Sequence, residues 1–161
     1  MLILGIDPGL RLTGYALVSL TKGKPVLLEA GVLRMKSKGD LATRLAELHT
    51  HLAELIAESS PDRVAVEQLY AHYKHPRTAI LMGHARGVIL LAAAQKQLPV
   101  TNLASTMVKR TITGNGHASK QQVQRAVATL CKLPKPPEPP DVADAIAIAW
   151  TLATRISHKL P

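Results

Sequence analysis

The apolar run Leu2-Ile3-Leu4-Gly5-Ile6 stops at Asp7, and a second run, Val64-Ala65-Val66, stops at Glu67. Two further acids, Asp141 and Asp144, punctuate the apolar helix candidate 142–150. Four of the chain's eleven acids therefore sit on elements that a fold of this chain has to bury. A buried or half-buried carboxylate must be paired, hydrogen-bonded or bound to metal, or it takes up a proton. No lysine or arginine adjoins any of the four in sequence. If they converge they repel one another, and a divalent cation is the natural remedy. The first expectation is a metal-dependent active site built on Asp7, Glu67, Asp141 and Asp144.

A chain of 161 residues with 47% hydrophobic content is expected to be one globular domain spanning 1–161. Phenylalanine is absent and the aromatics are Trp150, Tyr15, Tyr70 and Tyr73, so the core falls to Leu, Val, Ile and Ala. The single Cys131 excludes an intrachain disulfide, and its setting among Val127, Ala128 and Leu130 suits a small buried hydrophobe. No basic leader precedes the first apolar run, so no signal peptide is expected. No apolar stretch is expected to span a bilayer, and the default location is cytoplasmic.

The net charge of +9 is unevenly placed. Residues 68–137 hold ten cations and no acid: Lys74, Arg77, Arg86, Lys96, Lys109, Arg110, Lys120, Arg125, Lys132 and Lys135. The remainder holds ten cations against eleven acids. Solubility alone does not require excluding every acid from a half, whereas a one-signed field attracts a polyanion, so nucleic acid is the expected partner.

Residues 1–7, 13–20 and 25–35 read as strands with short linkers, an antiparallel meander. Residues 40–58 carry Leu41, Leu45, Leu48, Leu52, Leu55 and Ile56 at helical spacing, with Asp40 as a plausible N-cap. Arg63 to Glu67 is a fourth strand, 71–77 a polar loop, 78–97 a second long helix and 99–102 a fifth strand. Helices are expected over 105–112, from a cap at Ser119 to Leu130, and from Asp141 to Ser157, with a Gly-rich loop at 113–117 and a Pro-rich connection at 132–140. Three strands, a helix, then alternating strand and helix imply an α/β fold: a mixed five-stranded sheet with helices on both faces.

Asp141 and Asp144, at i and i+3, share a helix face about a turn apart. As an alternative, Asp141 is explained as a helix N-cap, Asp7 as part of an Asp-Pro-Gly turn and Glu67 as a solvated strand end. The segment Tyr70-Ala71-His72-Tyr73-Lys74-His75-Pro76-Arg77 mixes rings that stack on bases with cations that meet phosphates; a plain surface loop is the other reading. Gly83 and Gly87 permit close helix packing, either within the chain or against a second copy. Gly114-Asn115-Gly116 lacks a full phosphate-binding pattern.

Gly5-Ile6-Asp7-Pro8-Gly9, Val66-Glu67-Gln68 and Asp141-Val142-Ala143-Asp144-Ala145, in that order, resemble the RuvC family of Holliday junction resolvases. Gly83-His84-Ala85-Arg86-Gly87, Val108-Lys109-Arg110, the Gly114-Asn115-Gly116 loop and Ser119-Lys120-Gln121-Gln122-Val123-Gln124 extend the resemblance over nearly the whole chain. The resemblance implies an RNase H-like fold and a homodimer that cuts four-way DNA junctions with Mg²⁺. Two ions per site are implied, with Mn²⁺ as a substitute, and RuvAB as a branch-migration partner. It implies catalytic and metal roles for Asp7, Glu67, Asp141 and Asp144, and catalytic and DNA-binding roles for Lys109 and Lys120. DNA contacts are expected from Tyr70, Tyr73, Lys74, Arg77 and Arg110. Tyr70 falls where many members place a phenylalanine at the junction centre, and some members have histidine where Asp141 stands. An actin-like kinase needs two lobes, and 161 residues supply one. A nuclease for another structured nucleic acid, or a non-catalytic junction-binding module, stays open because fold does not choose substrate.

Overall fold

The computed structural model describes residues 1–35, 39–69 and 76–158. β1 (Leu2–Asp7) lies at the centre of a five-stranded sheet. β2 (Leu12–Thr21) pairs antiparallel with it, and β3 (Lys24–Arg34) antiparallel with β2. The β2–β3 turn places Lys22 and Gly23 both at positive φ, the conformation that closes a tight hairpin without splaying its strands. β4 (Arg63–Glu67) and β5 (Val100–Leu103) continue the sheet on the other side in parallel, giving the order β3-β2-β1-β4-β5. Parallel neighbours need crossover connections, and helices supply them.

α1 (Leu41–Ser59) links β3 to β4. Its N-cap Asp40 accepts from the Thr43 backbone N–H, and Leu48, Leu52, Leu55 and Ile56 form its buried face. α2 (Pro76–Gln95) links β4 to β5 and presses Ala85, Ile89, Ala92 and Ala93 into the same core layer. α3 (Ser105–Thr113), α4 (Lys120–Leu130) and α5 (Pro140–Ser157) cover the opposite face. Gly114, at φ 79, stops α3, and a Ser119–Gln122 capping box starts α4. The Gly-rich loop is thus a stop and a start between two helices, pinned by Thr113 and Asn115 side chains that accept from the Asn115 and His117 N–H groups.

Strand alternation sorts the core into two layers. Leu4 and Ile6 of β1 pack with α1 and α2, and Ile3 packs with α5. α5 touches all five strands and buries Val142, Ala143, Ala145 to Ala149, Thr151, Leu152 and Ala153. It approaches closely because two strand positions lack a side chain. A Cβ at Gly5 would lie 2.5 Å from the Ala145 carbonyl oxygen, and one at Gly14 would lie 2.1 Å from that of Asp141.

Three sequence expectations need correction. α2 begins at Pro76, because proline suits a first helical turn, so Arg77 is helical and not part of the loop. Pro139 occupies the N-cap of α5, which leaves Asp141 inside the first turn and free of a capping role. Arg77–Gln95 is long and apolar enough to cross a membrane by length and composition, contrary to expectation. Ala85, Ile89, Ala92 and Ala93 pack into the core layer, and Arg86 stands at the middle of the helix.

Gly5→Ala is expected to cost about 2–3 kcal/mol, since the added methyl meets helix backbone that cannot yield. Urea unfolding measures this, and a loss below about 0.5 kcal/mol would show that α5 can lift away from β1.

Candidate active site

The period of two that places Ile3 and Gly5 under α5 places Asp7 there as well, and Ala65 brings Glu67 to the same face. Ile6 pairs with Val66, so Asp7 and Glu67 stand at neighbouring ends of two parallel strands. On the other side Asp7 pairs with Gly14, directly beneath the first turn of α5. Gly14 lets Asp141 settle onto the sheet there, and Asp144 follows one turn on, toward Glu67. Four acids separated by up to 137 positions are thereby brought to one end of the sheet.

Their electrostatics are unfavourable as they stand. Burial, reinforced by Asp144, Glu67 and Asp141, pushes Asp7 up to about 8. Glu67 is raised mainly by burial, with Asp144 adding to it, and Ser105, Lys109 and Lys120 pull it back. Asp144 is raised by burial and Asp141, against Lys120 and Lys109. Lys120 Nζ lies 3.9 Å from Asp144 Oδ2, but its side chain is 77% exposed, so solvent weakens the pair. Two lysines therefore flank the acids without neutralising them.

A group of oxygen donors with surplus negative charge matches a hard divalent cation. Among the described residues no three His, Cys, Asp or Glu side chains form a ready-made cage for one ion. The donor chemistry fits Mg²⁺ or Mn²⁺.

Of the other expected site residues, Lys109 comes from α3 and Lys120 from the first turn of α4, and both act on Glu67 and Asp144. Arg77, in the first turn of α2, lines a groove that also contains Asp141. Arg110 is exposed on α3, with its guanidinium beside Gly116. Tyr70, Tyr73 and Lys74 lie outside the described residues. Two residues escaped the sequence reading. The Ser105 side chain favours the ionised form of Glu67, although a serine opening a helix ordinarily signals a cap. Arg86 donates through Nε to the Glu67 carbonyl oxygen at 3.4 Å and through Nη2 to the Asn102 side chain, tying α2 to the ends of β4 and β5. The arginine inside the apolar helix 76–95 was the available signal.

The family pattern described as crossover junction endodeoxyribonuclease RuvC matches residues 3–152. The RuvC protein of Rhodopirellula baltica is 52% identical over 147 residues, covering 91% of this chain and 83% of the relative. That of Actinobacillus succinogenes is 42% identical over 160 residues, covering 99% and 82%. Among solved structures, Thermus thermophilus RuvC in complex with Holliday junction substrate superposes with a TM-score of 0.88 at 31% identity, covering 99% of this chain and 96% of that one.

The raised Asp7 carboxyl yields a pH prediction. An unfolded aspartate ionises at 3.8 and the folded Asp7 at about 8, so between those values only the folded protein holds the proton. Stability without metal therefore falls as pH rises through that window. Asp7→Asn removes the effect. Its melting temperature in EDTA is expected to exceed the parent's above about pH 8, with the gap closing toward about pH 4. A gap independent of pH would exclude Asp7 as the group responsible.

Proposed function

The chain belongs to the RuvC family of crossover junction endodeoxyribonucleases, and from that membership we propose that it resolves four-way DNA junctions in recombination and repair. It does so by paired, symmetric hydrolysis of phosphodiester bonds. The observation that carries the reading is the convergence of Asp7, Glu67, Asp141 and Asp144 at one end of the sheet, bordered by Lys109 and Lys120. A DNA substrate assigns the protein to the compartment of the chromosome, the cytoplasm.

The family is metal-dependent, and the four acids would hold Mg²⁺, or Mn²⁺ in its place, with two ions per site. When bound, the ions supply Lewis acidity to the attacking water and the leaving oxygen. The protein's own part is positioning and charge. Ser105 favours the ionised Glu67 carboxylate, and Arg86 pins its main chain. Lys120, at the opening of α4, and Lys109 offset the charge that builds on the phosphate and hold the strand. Water's oxygen joins phosphorus, the bond to the 3′ oxygen breaks, and a 5′-phosphate and a 3′-hydroxyl remain. Tyr70, three residues past Glu67, is assigned to the junction centre, with Tyr73, Lys74, Arg77 and Arg110 as further DNA contacts.

A junction of near two-fold symmetry needs two matched nicks, and a homodimer supplies two related sites. α2 offers the contact. Ile80 is 62% and Leu91 52% exposed, and the space over Gly83 and Gly87 is open. With His84 and Val88 these residues line a groove of about 390 Å³. Intrachain packing does not account for the two glycines. It does claim Ala92 and, in part, Leu81 and Val88, and leaves the contact to Ile80 and Leu91. The RuvAB complex is the proposed branch-migration partner.

Asp7→Asn, Glu67→Gln, Asp141→Asn and Asp144→Asn are each expected to lower cutting of an end-labelled junction by at least about 10³-fold while binding persists. Lys120→Ala should lose turnover more than binding. Duplex, single strand and RNA–DNA hybrid in parallel lanes test the substrate, and preferential cutting of any of them would replace the junction. Ile80→Glu with Leu91→Glu should give a monomer by light scattering at micromolar concentration, with unpaired nicks. A dimer that survives both changes would move the interface elsewhere.

A further inference from the structure

A groove of about 570 Å³ opens on the Asp141 side of the acids, away from Lys109 and Lys120. Three arginines line it: Arg11 from the turn before β2, Arg44 from α1 and Arg77 from α2. They come from three separate segments, so local sequence does not explain their meeting. The one acid in its lining is Asp141, already drawn into the catalytic group. Asp40 lies near Arg44, but its carboxylate is occupied by the Thr43 N–H at 2.8 Å and the Thr43 hydroxyl at 2.7 Å. The Arg44 Nε is buried and has no hydrogen-bond partner among the described residues. A buried donor left unmet is costly, and an anionic oxygen would recover that cost.

The turn that carries Arg11 is held in place. The buried Thr13 hydroxyl donates to the Gly9 carbonyl at 2.6 Å, and the Met35 N–H donates to the Arg11 carbonyl at 3.2 Å. Guanidinium groups present a planar fork that matches phosphate oxygens. With lysines on the Asp144 side and arginines on the Asp141 side, a strand laid across the acids meets cations at both ends.

We propose that this groove is a second phosphate subsite, in which Arg11, Arg44 and Arg77 hold a backbone phosphate of the cleaved strand next to the scissile one. The inference rests on the reading of the acids as a DNA-cutting site. The subsite sets the register of the strand over the acids, so that the scissile phosphate is placed from both sides and not by Lys109 and Lys120 alone.

The test uses the full chain and synthetic four-way junctions without divalent metal, so that binding is read and nothing is cut. Neutral methylphosphonates replace single phosphates around the cut site. Arg11→Gln and Arg44→Gln together are expected to reduce the slope of log K against log salt by about 0.9, the one phosphate contact they share, and each alone by part of that. One methylphosphonate position that weakens the parent several-fold should weaken these variants no further. Arg44→Lys keeps the charge and should keep the slope, and with Arg11→Gln it decides the matter if Arg44→Gln melts early. Lys24→Gln, on the exposed far end of β3, is the control for the general field. Unchanged slopes, methylphosphonate penalties equal in parent and variants, or an equal effect from Lys24→Gln would each overturn the subsite. If another DNA proves to be the substrate and the same phosphate coupling appears on it, junction resolution falls and the subsite stands. Junction cutting with no coupling sinks the subsite alone.

Discussion

The close approach of α5 to β1 and β2 is the contact on which the rest depends. It needs two bare strand positions, Gly5 and Gly14, and a helix rich in alanine. A single methyl at either glycine would overlap helix backbone. That contact unites the α3–α4–α5 core layer with the sheet, and it lowers the first turn of α5 beside Asp7. Core packing and assembly of the active site are here the same event, and the carboxylates cannot be spread apart without lifting the helix.

The energy stored by that arrangement is electrostatic. Burial and neighbouring acids hold Asp7 at about 8, and Glu67 and Asp144 are raised too. The fold tolerates this repulsion, and Lys109 and Lys120 reduce the strain on Glu67 and Asp144 without cancelling it. The sheet end is accordingly negative at its centre and bordered by the cations of Lys109 and Lys120.

α2 connects this centre to the molecule's outside. Its inner alanines seal the second core layer, its outer face exposes Ile80 and Leu91, and Arg86 reaches between them to the Glu67 carbonyl. Its apolar residues fall on two faces: Ala92 meets the core layer and Ile80 and Leu91 meet solvent, a division that packing makes and composition does not.

The order of strands and helices, the meander, the parallel additions and the candidacy of Asp7, Glu67, Asp141 and Asp144 were legible in the sequence. The reason is local: a buried element must be apolar, so a carboxylate ending one is conspicuous without any knowledge of its neighbours. Caps and turn residues marked most boundaries for the same reason, and the errors fell where proline could open a helix, at Pro76 and Pro140. Ser105 beside Glu67, Arg86 against its carbonyl, and Arg11, Arg44 and Arg77 around one groove were not legible. A serine at a helix start and an arginine on a surface are ordinary in sequence. Their partners lie on other segments, and only the folding of the sheet and the seating of α2 and α5 on its two faces brings them within reach.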